Sequence, residues 1–104
     1  MKNDEFTIKE EKTGEVNRFI AQGRITSNNA NVLQHKLNEA FSNGGTNIVV
    51  NMLQVTFLSS AGIRVLLMFY KMAKQAGGSF YVENPSENVV NVLGMTALDE
   101  MLLK

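Results

Sequence analysis

Apolar and polar positions alternate with a period of two at the start of the chain and then fall into helical spacing. Phe6 and Ile8 alternate with polar neighbours, and beyond Lys12-Thr13-Gly14-Glu15 a second extended segment runs through Val16, Phe19, Ile20 and Ala21. A hairpin is predicted there. Gly23 to Asn29 is polar, and Thr26, Ser27 and Asn28 are all residues that accept a bond from the first turn of a helix. Val32, Leu33, Leu37, Ala40 and Phe41 then recur at helical spacing and stop at Gly44-Gly45, a pair suited to a left-handed C-terminal cap.

Ile48-Val49-Val50 is a β-branched run without polar alternation, the pattern of a central strand covered on both faces. Small residues gather at Ser59-Ser60-Ala61-Gly62, after which Ile63, Leu66, Leu67, Tyr70 and Ala73 trace one face of a helix from near Ser60 to about Ala76. Arg64, Lys71, Lys74 and Gln75 leave it a narrow polar stripe, and Val65, Met68 and Met72 widen its apolar side. Phe80-Tyr81-Val82 is the next strand. Asn84-Pro85-Ser86 breaks it and starts a helix carrying Val89, Val90 and Leu93 that Gly94 ends. Thr96 and Asp99 have the spacing of a capping pair before a last turn with Leu98, Met101 and Leu102.

This order predicts an α/β fold: a small mixed, mainly parallel sheet of four or five strands, opened by a hairpin and carrying about four helices. Sites in such sheets gather beyond the carboxyl ends of the strands, which would assemble Arg24 to Asn28, Asn51 to Ser60 and Glu83 to Pro85. With 104 residues, 44% of them hydrophobic, the chain is expected to form one domain over residues 1–104.

Ten basic side chains balance ten acidic ones, so no overall field draws the protein to nucleic acid or to an anionic membrane. The chain has no cysteine, which removes disulfides and thiolate metal sites. Met1 to Glu5 has no apolar stretch behind it to act as a secretion signal, and no apolar run is long enough to span a bilayer. A cytoplasmic protein without membrane contact is expected.

Enzyme chemistry finds little support. The single histidine, His35, lies on the polar side of the first helix, and the aspartates are Asp4 and Asp99, near the two ends. A serine nucleophile would require His35 to reach Ser59 or Ser60, which nothing in the spacing imposes. No pair of His, Cys or carboxylate residues has metal-ligand spacing, and Gly44-Gly45 lies in the wrong order for a phosphate-binding loop, so neither metal nor cofactor is expected. That leaves Ser60 as a group acted upon, at a helix N-terminus that tolerates negative charge. Local physics does not separate a capping hydroxyl at Ser59 or Ser60, with Gly62 allowing close helix packing, from one that is phosphorylated.

The stretch Asn47-Ile48-Val49-Val50-Asn51, followed by Val55-Thr56-Phe57-Leu58-Ser59-Ser60-Ala61-Gly62-Ile63-Arg64-Val65-Leu66-Leu67, resembles the signature of the STAS domain family, specifically the bacterial anti-sigma factor antagonists. Gly23-Arg24-Ile25, Gly77-Gly78 and Asn84-Pro85-Ser86 also resemble that family's layout. The resemblance implies a non-enzymatic switch. The unphosphorylated domain binds an anti-sigma factor that is also a serine kinase, phosphorylation breaks the complex, and a metal-dependent serine phosphatase restores it. Matching the family's glycine to Gly62 places the phosphoacceptor at Ser60, with Thr26, Ser27, Asn28, Ser59, Ser60, Ala61 and Arg64 as partner-binding residues. Ser59 stands where the family's common pattern has an aspartate, and Thr26 where many relatives have one. The alternatives are a constitutive scaffold using the face around Val65, Met68 and Met72 in a signalling or transporter complex, and, more remotely, a serine-nucleophile enzyme.

Overall fold

The computed structural model describes residues 6–103; Asp4 lies outside them. Strands β1 (Phe6–Thr13) and β2 (Val16–Ile25) form the expected antiparallel hairpin, turning at Gly14 with φ +60°. Helix α1 (Ala30–Ser42) then leads to β3 (Asn47–Leu58), α2 (Ser60–Gln75) to β4 (Ser79–Glu83), and α3 (Glu87–Met95) and α4 (Asp99–Leu102) follow. Among the described residues the sheet has four strands in the order β1-β2-β3-β4, with β3 parallel to both β2 and β4.

One face of this sheet makes the core. Phe19 and Ala21 of β2, Ile48, Val50 and Met52 of β3, and Phe80 and Val82 of β4 are all buried. They share a cluster with Leu33 and Leu37 of α1, Leu66 and Phe69 of α2, and Val89 and Leu93 of α3. Residues between them, Arg18, Ile20, Val49, Tyr81 and Glu83, are only half-buried on the opposite face. There Arg18 Nη1 meets Glu83 Oε2 at 2.7 Å, a pair that spans β3. The expectation that Ile48 to Val50 is covered on both faces is therefore corrected. β-Branched side chains suit any pleated surface with neighbours on both sides, and Val49 finds them in Arg18 and Tyr81.

Strand β3 also runs on to Leu58, so Asn51 to Leu58 is strand rather than loop. Register shifts against β2 at Ile20/Gln22 and Gly23/Arg24 break the alternation of buried positions, which hides the strand in the sequence. Strand β4 pairs only as far as Asn51. Beyond it the start of α3 takes over the edge of β3. Ser86 N–H donates to Met52 O at 3.1 Å, Ser86 Oγ to Val55 O at 2.6 Å, and Asn88 Nδ2 to Thr56 O at 2.7 Å. Backbone carbonyls left by the short β4 are thus satisfied by the N-cap Ser86 and by Asn88 in the first turn of α3.

Several details of the helices differ from expectation, among them Gly94, which lies inside α3 and does not end it. The buried face of α2 is Gly62, Val65, Leu66, Phe69 and Ala73, with Ile63, Leu67 and Tyr70 only half-buried. The nearly all-apolar helix left its orientation open, and packing chose the stripe containing Phe69. Thr96 does not cap α4; it ends α3, its hydroxyl lying 3.0 Å from Val92 O and 3.1 Å from Leu93 O, and α4 has no side-chain cap.

Gly94 lies inside α3 with open space where a Cβ would stand, whereas a Cβ at Gly78 would strike the backbone carbonyl of Thr46. Gly94→Ala should raise stability by about 0.5–1 kcal/mol through helix propensity. Gly78→Ala should lower it by about 1–3 kcal/mol through overpacking, because backbone cannot yield as a side chain does. Urea unfolding of both variants checks the contrast.

Candidate functional site

The site forms where the carboxyl ends of β2 and β3 meet the start of α2. Ser59 has extended backbone, with φ −79° and ψ 168°, and is the N-cap. Its N–H donates to Ile25 O at 2.9 Å, its Oγ accepts from Gly62 N–H at 3.2 Å, and its carbonyl accepts from Ile63 N–H at 2.9 Å. Every polar group of Ser59 is thus used to join strand to helix. Ser60, the first helical residue, is exposed, and its hydroxyl has no protein partner among the described residues. The two serines that the sequence left equivalent have separate roles: one caps, and the other faces solvent.

Gly62 makes this geometry possible. A Cβ there would come within 2.8 Å of both Ile25 Cγ2 and Leu58 Cδ1. Its absence lets the first turn of α2 lie directly on the strand ends.

Because Ser59 N–H is bonded to Ile25 O, the turn that follows Ile25 lies beside the start of α2. Ser27 and Asn28 are exposed in that turn and Thr26 is half-buried. The expectation that all three cap α1 is corrected. Thr26 Oγ1 accepts only from Asn28 N–H, at 3.2 Å, and the N-cap is Asn29, which makes no capping bond. Asn29 instead ties the turn together. Its Oδ1 accepts from Thr26 N–H at 2.8 Å, and its Nδ2 donates to Arg24 O at 2.9 Å. Asn29 was missed because a cap-type residue in a run of them carries no signal of which one bonds backward.

Phe57 was missed as well. It pairs in register with Arg24, whose guanidinium carbon lies 4.4 Å from the ring centroid, and it remains 39% exposed just before the site. The Glu83–Pro85 segment, by contrast, does not join the site. Strand β4 stops level with Asn51, and the remainder of β3 carries the site roughly 20 Å farther on.

Arg64 follows Ser60 by one helical turn, is exposed, and has no ion-pair partner among the described residues. With Ala61, Val65 and Met68 it lines a groove of about 210 Å³ whose other wall includes Ala30 and Gln34 of α1. Neither helix has an acidic residue in its first turn, so neither helix offsets the positive end of its own dipole with an acid there. Val65 is 6% exposed and belongs to the core, so it adds little to the surface around Met68 and Met72.

His35 is exposed on α1, its Nε2 3.4 Å from Glu39 Oε2, while Asp99 starts α4. Among the described residues no cluster of His, Asp or Glu is arranged to hold a metal ion. No helix there is long and apolar enough to cross a membrane.

The family model for the STAS domain matches residues 8–104. The chain belongs to the STAS domain family. This STAS chain is 30% identical over 80 residues to an anti-sigma-B factor antagonist from Bacillus subtilis, covering 77% of itself and 72% of that protein. Its fold matches an anti-sigma factor antagonist from Mycobacterium paratuberculosis with TM-score 0.85 at 22% identity, over 95% of this chain and 84% of the other. The anti-sigma factor antagonist SpoIIAA in its unphosphorylated form matches with TM-score 0.81 at 21% identity, covering 93% and 86% of the two chains. The phosphorylated form of Bacillus SpoIIAA matches with TM-score 0.75 at 20% identity, over 93% and 89%.

The two serines should separate in stability measurements. Ser59→Ala removes the cap and should cost about 0.5–2 kcal/mol, while Ser60→Ala should stay within about 0.5 kcal/mol of the parent in chemical denaturation.

Proposed function

We propose that the chain is an anti-sigma factor antagonist that works as a phosphorylation-controlled docking module. Unphosphorylated, it binds an anti-sigma factor that is also a serine kinase. That kinase transfers the γ-phosphoryl group of ATP to Ser60 Oγ, releasing ADP and a proton, and the complex separates. A metal-dependent serine phosphatase hydrolyses the ester with water, regenerating the hydroxyl and inorganic phosphate. The chain supplies the acceptor and the docking surface, and the chemistry belongs to its partners. One domain carries this cycle, in the cytoplasm.

The observation that carries the reading is the exposed Ser60 hydroxyl beside a neighbour that already caps the helix. Similarity to the B. subtilis anti-sigma-B factor antagonist supports the partner class. The likeness to SpoIIAA, a protein solved both with and without phosphate, supports the kind of regulation. The surface assigned to the partner is Thr26, Ser27, Asn28, Ser59, Ser60, Ala61 and Arg64, joined by Phe57. Aromatic residues, phenylalanine included, and arginine are enriched at interfaces relative to the rest of a protein surface.

The magnitudes are sufficient. Phosphate adds roughly −1.5 to −2 charges at neutral pH. At a helix N-terminus this is favourable by about 0.3–2 kcal/mol, so the fold survives modification. Inside a tight contact the same dianion has to lose its water, and a mismatch of about 2.8 kcal/mol weakens binding about a hundredfold.

With the cognate kinase captured from the native cell and labelled ATP, the protein should gain one phosphate, and Ser60→Ala should gain none. Ser60→Asp should weaken the complex at least about tenfold by calorimetry, and Phe57→Ala by a similar factor with little loss of fold. Phosphate mapped to another residue, with Ser60→Ala labelled normally, would remove the acceptor assignment.

A further inference from the structure

Ser60 and Arg64 occupy positions i and i+4 of α2. Residues four apart on a helix are neighbours, with roughly 5–6 Å between their Cβ atoms. Long helical side chains lean back toward the N-terminus, over the residue one turn earlier, so Arg64 naturally extends over position 60. An anion at the earlier position and a cation at the later one is also the favoured order, because it agrees with the helix dipole. Arg64 is exposed and has no ion-pair partner among the described residues, and no acid in the first turn of α2 competes for it. Arg64 meanwhile lines the groove between α1 and α2, where the other lining residues carry no charge.

We infer that Arg64 receives the phosphate placed on Ser60, so that modification both adds negative charge and withdraws the guanidinium from the groove offered to the partner. The inference rests on Ser60 being the acceptor. It gives phosphorylation two effects on the docking surface. The dianion opposes an approaching partner, and the arginine that would meet a partner carboxylate becomes engaged within its own helix. A planar guanidinium matches phosphate oxygens with paired N–H donors, which makes it suited to this capture.

The test uses the full chain with phosphoserine installed at position 60 by genetic encoding, so that no kinase is needed. Phosphorus NMR follows the second ionisation of the phosphate in the parent and in Arg64→Gln. A nearby cation favours the dianion, so the parent phosphate should titrate about 0.3 pH lower than in Arg64→Gln, roughly a twofold change in proton affinity. Arg64→Lys should restore part of the difference, and about 1 M salt should remove most of it. A purely structural role for Arg64 would move none of these readings. Coincident titrations in the parent and Arg64→Gln overturn the inference even if the kinase labels Ser60. A clear difference, with Ser60 never labelled by any captured kinase, upholds the clamp as chemistry and removes the acceptor reading instead.

Discussion

The site depends on how near the first turn of α2 can come to the ends of β2 and β3. Gly62 sets that distance, since any side chain there would collide with Ile25 and Leu58. Close approach in turn allows the 2.9 Å bond from Ser59 N–H to Ile25 O, which fixes the direction in which the helix leaves the sheet. With Ser59 committed to that joint, Ser60 is left at the surface with a hydroxyl that no other residue described needs. Structure and modification therefore do not compete for one side chain.

The same joint explains why a chain of zero net charge can present a positive feature. Ten acids and ten bases cancel overall, yet the first turns of α1 and α2 contain no acid. Helix dipoles and Arg64 act there over a few ångströms, a range at which screening by salt is weakest. An anion attached at this end is compatible with the fold and disruptive to a partner fitted against it. The asymmetry comes from solvent: the phosphate keeps its water on the isolated surface and loses it in a complex.

A one-sided sheet makes the arrangement economical. All the fully buried sheet residues face the helices, while the other face is held by half-buried side chains and the Arg18–Glu83 pair, both partly exposed and so worth little in stability. Strand β3 runs past β4, and Ser86 and Asn88 at the start of α3 bond to the carbonyls left over. This overreach carries the site away from β4 and sets it beside β2 and the start of α1, with Asn88 of α3 bonded to Thr56 next to Phe57.

Much of this was fixed by local sequence. The hairpin, the alternation of strands with helices, the glycine pairs closing α1 and α2, and the cluster Ser59-Ser60-Ala61-Gly62 at a helix start all follow from period and residue type, because these act over a few neighbouring residues. The STAS signature was legible for the same reason, being one continuous stretch. Tertiary structure alone decided which serine caps, that Phe69 rather than Leu67 enters the core, that Asn29 holds the α1 turn, and that Arg24 stacks on Phe57. Each of these is a choice between chemically equivalent residues or a contact across strands. Such choices are settled by where the register shifts of β2 and the close approach at Gly62 place the partners, and no local pattern encodes that distance.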